Sequence, residues 1–117
     1  MNNRQIGTLY EREIVLYLQS NRVRIVEQNY RCRQGEIDII GYDGTCLVFF
    51  EVKARNSLRA GSGLEAIHPY KQYKICRVAD YYRLKNKIDE FCEMRYDCIS
   101  IDLGQIHWIK NAFEHIG

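Results

Sequence analysis

The sequence predicts an α/β fold: one mixed β-sheet flanked by helices, with elements in the order αβββαββ, built as a single domain over residues 1–117. Three observations carry this. An apolar stripe of helical period lies near the N-terminus. Apolar runs punctuated by Asp-Gly and Leu-Gly follow it, and a helical pattern opened by proline separates the first strands from the last.

Residues 8–21 read as a helix because Tyr10, Ile14, Tyr17 and Leu18 recur at i, i+4, i+7 and i+8, with Asn21 as the stop. Residues 23–30 have the character of a strand. Two more strands, near 36–41 and 46–53, flank Asp43-Gly44, a strong hairpin signal because a tight two-residue turn needs positive φ. Residues 54–64 carry glycine and serine directly after Lys53. They form a loop that either closes over a substrate or simply connects. Pro69 opens the second helix, with Ile75, Val78, Ala79 and Tyr82 facing inward and Lys71 and Lys74 together on another side. A polar connection over 85–94 leads to a strand at 95–101, a turn at Leu103-Gly104 and a last strand at 105–110.

A chain of 117 residues buries a core without staples, and 46% hydrophobic with 27% charged residues excludes a disordered chain. No apolar run is long enough to span a membrane and the polar N-terminus does not read as a signal peptide. The expectation is therefore a cytoplasmic protein with no membrane partner. Five cysteines, an odd number without CxxC spacing, argue against a zinc site or a disulfide framework and for free thiols.

The hairpin carries the chemistry. With Asp43 and Gly44 as turn residues, Tyr42 faces Thr45, Asp38 lies opposite Phe49 and Glu36 lies opposite Glu51. Alternation with a period of two then puts Glu36, Asp38, Glu51 and Lys53 on one face and Ile37, Ile39, Val48, Phe50 and Val52 on the core face. Carboxylates placed this closely repel; at 4 Å and an effective dielectric near 20 the cost is roughly 4 kcal/mol. A cation offsets that cost, and hard oxygen donors suit Mg²⁺ or Mn²⁺. A lysine on the same face completes a set suited to metal-assisted phosphodiester hydrolysis. The competing reading is a solvated acidic hairpin with Lys53 in a cross-strand salt bridge.

The net charge of +2 says little, but its distribution says more. Between residues 31 and 77, Arg31, Arg33, Lys53, Arg55, Arg59, Lys71, Lys74 and Arg77 surround the acidic cluster, as a rim that would draw phosphate backbones.

The element order, with an Asp on the second strand and Glu-x-Lys on the third, resembles the PD-(D/E)xK nuclease superfamily and its restriction-endonuclease-like core. The runs Asn29-Tyr-Arg-Cys-Arg-Gln-Gly35-Glu-Ile-Asp38, Val48-Phe-Phe-Glu-Val-Lys53-Ala-Arg55 and Glu65-Ala-Ile-His-Pro-Tyr-Lys71-Gln72 resemble the small YraN-like family of bacteria, as do Arg95-Tyr-Asp97 and Asn111-Ala-Phe113. The resemblance implies a Mg²⁺- or Mn²⁺-dependent endonuclease related to Holliday-junction resolvases, acting on branched or structured DNA. It implies Asp38 and Glu51 as metal ligands, Lys53 as the catalytic lysine, Glu11 as a further acid directed toward the metal, and Glu36 as another ligand or a general base. Arg31, Arg33, Arg55, Lys71 and Lys74 are the expected nucleic-acid contacts, and a resolvase, which needs two sites, would work as a homodimer. Two departures stand out: Tyr10 precedes Glu11 where the family has glycine, and Ile37 precedes Asp38 where the superfamily motif has proline. The alternative function is a non-catalytic DNA-binding module on the same fold.

Overall fold

The elements of a computed structural model, which describes residues 3–55 and 67–117, follow the expected order. They are α1 (Asn3–Ser20), β1 (Val23–Cys32), β2 (Gly35–Asp43), β3 (Cys46–Arg55), α2 (Pro69–Lys85), β4 (Met94–Asp102) and β5 (Gln105–Phe113). The strands form one mixed sheet in the order β1-β2-β3-β4-β5, antiparallel except where β3 runs parallel to β4. Parallel neighbours cannot be joined by a tight turn, and α2 lies in the connection between them. Most of the expected loop at 54–64 lies outside the described residues. Among the described residues, no helix is long and apolar enough to cross a membrane. All five cysteines are free.

Both faces of the sheet are core. Along β3, Leu47 and Phe49 pack with Ile40, Ile75, Val78 and Tyr82 under α2, while Val48 and Phe50 pack with Ile14, Leu18 and Ile39 under α1. The one-sided hairpin expected from alternation is thus corrected: a helix covers each face, which is why β3 reads as a continuous apolar run. Ile37, expected beside Ile39, joins the cluster under α2 instead.

The hairpin register also differs from expectation. Asp43 pairs with Cys46 and Ile39 with Phe50, so Gly44 and Thr45 are the turn residues and every pairing shifts by two. Asp38 does not face Phe49, nor Glu36 Glu51. Gly44 at φ 64 supplies the positive φ that a turn with glycine at its first central position requires. Asp43 stays in the strand because Arg95 of β4 holds its carboxylate at 2.7 Å. A shift of two by itself preserves facing; alternation breaks only at Ile37, and Glu36, Asp38 and Glu51 line one cleft.

Two boundaries extend beyond expectation. α1 starts at Asn3 rather than residue 8, its lead-in containing Arg4 and Gln5, both good helix formers. β5 continues past Lys110 to Phe113, which pairs with Tyr96 and stacks on it. Between them the register shifts, and Asp97 fills the irregularity. Its buried carboxylate accepts from Arg95 Nε (3.0 and 3.1 Å), Trp108 Nε1 (2.9 Å) and the Asn111 N–H (2.9 Å). Past β5 the chain returns to α2: the Ile116 N–H donates to Cys76 Sγ, Arg77 donates to the Ile116 carbonyl, and His115 bridges the Tyr96 hydroxyl and Asp80.

Removing this anchor takes one of two carboxylate partners from the half-buried Arg95, which keeps Asp43, and leaves the Trp108 and Asn111 N–H donors without their acceptor. Asp97→Ala is expected to lower unfolding free energy by about 3–5 kcal/mol, read from urea melts followed by Trp108 fluorescence.

Candidate functional site

The paired residues of β2 and β3 end at Ile39 and Phe50, and the next residues on each strand are Asp38 and Glu51. Asp38 leaves the regular pairing: its Oδ2 accepts the Val52 N–H at 2.8 Å, so a side-chain carboxylate takes the place of a strand carbonyl. Glu51 continues the row of Leu47 and Phe49 and therefore faces α2. There the Lys71 ammonium lies 2.6 Å from Glu51 Oε1.

Lys71 is placed by the way α2 begins. Pro69 needs no N–H in the first turn, His68 Nδ1 accepts the Tyr70 N–H, and the Gln72 side chain donates to the Ile67 carbonyl. Gln72 thus helps fix the helix start. One turn on, Lys74 lines the same cleft as Gly35, Glu36, Asp38, Glu51 and Lys71. The cleft encloses about 200 Å³, room for a handful of waters or one phosphate group.

The remaining acids approach from the other side. Glu36 lines the cleft and pairs with Arg31 at 3.4 Å. Glu11, on α1, opens onto an adjacent cleft together with Asn29, yet it lies close enough to feel the charges of Asp38 and Glu36. Asn29 hydrogen-bonds Glu11 and holds a left-handed backbone at φ 52. It lies opposite Asp38, between the Gln28–Ile39 and Tyr30–Ile37 pairs. Glu11 Oε1 is buried with no hydrogen-bond partner.

Charge is unbalanced here. Burial, with Glu36 nearby, pushes the Asp38 carboxyl above its usual range, although the Val52 N–H and Lys71 pull it down. Burial and Asp38 likewise push Glu51 up, opposed by Lys71 and Lys53. Burial and then Asp38 raise Glu11 as well. Burial works against the charge of Lys71, but its bond to Glu51 more than offsets that, so the ammonium is held above the usual lysine value. Burial and mutual repulsion outweigh the nearby ammonium groups at both carboxyls.

The other expected contacts scatter. Arg31 is tied to Glu36, and Arg33 is exposed in the turn between β1 and β2. Arg55 ends β3, and Arg59 lies outside the described residues. Lys71, expected at the rim, is at the centre. Asn29 was not singled out from sequence; an asparagine inside a strand pattern, a residue tolerant of left-handed backbone, was its available signal.

A family model described as "Uncharacterised protein family UPF0102" matches residues 10–101, a span that holds Glu11, Asn29, Asp38, Glu51, Lys53 and Lys71. The chain belongs to this family. A UPF0102 protein of Legionella pneumophila (strain Corby) is 41% identical over 110 residues, covering 92% of this chain and 93% of the relative. One from Lachnoclostridium phytofermentans is 40% identical over 117 residues, covering 100% and 99%, and one from Photobacterium profundum is 41% identical over 115 residues, covering 96% and 92%.

Whether this UPF0102 site suits a divalent cation turns on its donors. Among the described residues, no three Asp, Glu, His or Cys side chains converge on one metal position. Asp38 and Glu51 are a two-carboxylate oxygen set, and Mg²⁺ is commonly held by one or two carboxylates together with waters and substrate phosphate. The oxygen donors and the raised Asp38 and Glu51 carboxyls fit such an ion.

The raised carboxyls predict a pH signature. Unfolded, Asp38 and Glu51 ionise at lower pH than in the native state, so the native protein binds more protons between the two values. Stability then falls as pH rises through that window, and the cost is fully present above it. Asp38→Asn removes the charge while its Oδ1 still accepts the Val52 N–H. Melted in EDTA at neutral pH, this variant is expected to exceed wild type in Tm, with the gain shrinking on acidification toward pH ~4.

Proposed function

We propose that this chain is a divalent-metal-dependent nuclease with a restriction-endonuclease-like core, hydrolysing phosphodiester bonds of branched or structured DNA. The observation that carries the reading is the meeting of Asp38 and Glu51 in one cleft with Lys71 and Lys74, with Lys53 two residues past Glu51 on the same strand. The resemblance to Holliday-junction resolvases supports the substrate class, and two-site cutting would call for a homodimer. Asp38 and Glu51 would hold Mg²⁺ or Mn²⁺, with Glu11 as a further acid. When bound, the ion supplies positive charge against the phosphate and lowers the pKa of water. Lys53 and Lys71 supply further positive charge to the phosphate oxygens as it becomes pentavalent. Glu36, on the cleft wall, takes the proton of the attacking water. The new O–P bond forms as the bond to the leaving sugar oxygen breaks, and that oxygen takes a proton from solvent water.

The test is cleavage of labelled linear, flap and four-way-junction DNA with Mn²⁺. Lys53→Ala is expected to lose about 10²–10³-fold in rate while keeping a Mn²⁺-induced rise in Tm, and Asp38→Asn to lose both. Metal-independent cutting, or a Lys53→Ala variant as active as wild type, would sink the reading.

One observation favours the second reading, a non-catalytic DNA-binding module: Lys71 already neutralises Glu51 at 2.6 Å, as a permanent substitute for a cation would. Lys71→Ala separates the two. On the nuclease reading, its metal-free Tm drops and Mn²⁺ raises it further than it raises wild type. A binding module shows no Mn²⁺ response in either protein.

A further inference from the structure

We propose that the exposed face of α2 is a binding track for single-stranded nucleic acid, ending at the Asp38–Glu51 cleft. It rests on the nuclease reading only for the strand's destination. Tyr70, Tyr73 and Tyr81 are 65%, 42% and 39% exposed. Each has a cation four residues further on: Lys74 lies 5.5 Å from the Tyr70 ring centroid, Arg77 5.0 Å from Tyr73, and Lys85 5.7 Å from Tyr81. Spacings of three, four, seven and eleven residues put all three pairs on one side of the helix, away from buried Ile75, Val78, Ala79 and Tyr82.

Scattered exposed aromatics are ordinary, but three in register, each with its own cation, are a patterned surface. The helix carries five Lys or Arg against one acid, Asp80, and that acid is paired with Arg77 at 3.0 Å. Rings that offer a face to a base, alternating with cations that bind phosphate, are the chemistry of single-strand binding; Lys74 and Lys85 are the cations for it, since Asp80 and the Ile116 carbonyl hold Arg77. Duplex bases already stack on their neighbours and have no free face to offer. The rings span about 16 Å at 1.5 Å per residue, a platform for about three bases. Lys74 belongs both to the Tyr70 pair and to the cleft wall, which joins the track to the site.

The experiment is fluorescence anisotropy of the full chain in EDTA with a fluorescein-labelled oligo-dT of roughly 15 nucleotides, beside a duplex of the same length. Wild type is expected to prefer the single strand. Tyr70→Ala and Tyr81→Ala should each weaken binding by roughly five- to a hundredfold, and Tyr81→Trp should keep it. Lys85→Gln should flatten the log–log salt slope by about 0.7. Phe91→Ala, which removes an 85% exposed aromatic outside α2, should change nothing. No single-strand binding, tyrosine variants that bind as wild type does, or an equal loss in Phe91→Ala would overturn the track. Binding is read without metal or cleavage, so failure here leaves the Lys53→Ala test standing, and the reverse holds too.

Discussion

Two neighbouring strands that run the same way must be joined by a long excursion, and here that constraint falls on β3 and β4. α2 lies within the excursion, and its first turn returns a lysine to the strand the chain has just left. A hairpin at that point would have left Glu51 facing only its sheet neighbours. The parallel pair therefore sets more than topology. It makes the row holding Leu47, Phe49 and Glu51 half core and half cleft, because the same helix that buries the first two brings Lys71 to the third.

Two aspartates show how one residue type serves opposite ends. Asp97 is fully buried and saturated, with a guanidinium, an indole N–H and a backbone N–H on its two oxygens. Asp38 accepts the Val52 N–H and lies among the charges of Lys71 and Glu36. A saturated carboxylate holds strands together. A largely buried one beside further acids is a standing electrostatic cost, the kind of perturbation that clusters at functional sites.

The element order was legible because helix and strand periods differ and because Pro69, Gly44 and Gly104 punctuate them. The register was not. Asp43-Gly44 and Gly44-Thr45 both make acceptable turns, and what decides between them is Arg95, a strand away in space and distant in sequence. Asp38 and Glu51 still meet in one cleft because a shift of two preserves their facing. Lys71 was visible as a cation but not as the partner of Glu51, since only the crossover brings them together. The contact of Asn29 with Glu11 likewise depends on β1 lying beside β2 under α1, which no local pattern encodes.

The segment after β5 grips the middle of α2 through Cys76, Arg77 and Asp80, while the start of the helix is held by a surface-accessible ion pair and a capping histidine. These fastenings differ in how readily water competes with them. Water competes more readily for the first turn than for the body of α2, so local opening would begin there. Lys71 belongs to that first turn. A ligand entering the cleft would compete for its ion pair with Glu51 without disturbing the core beneath.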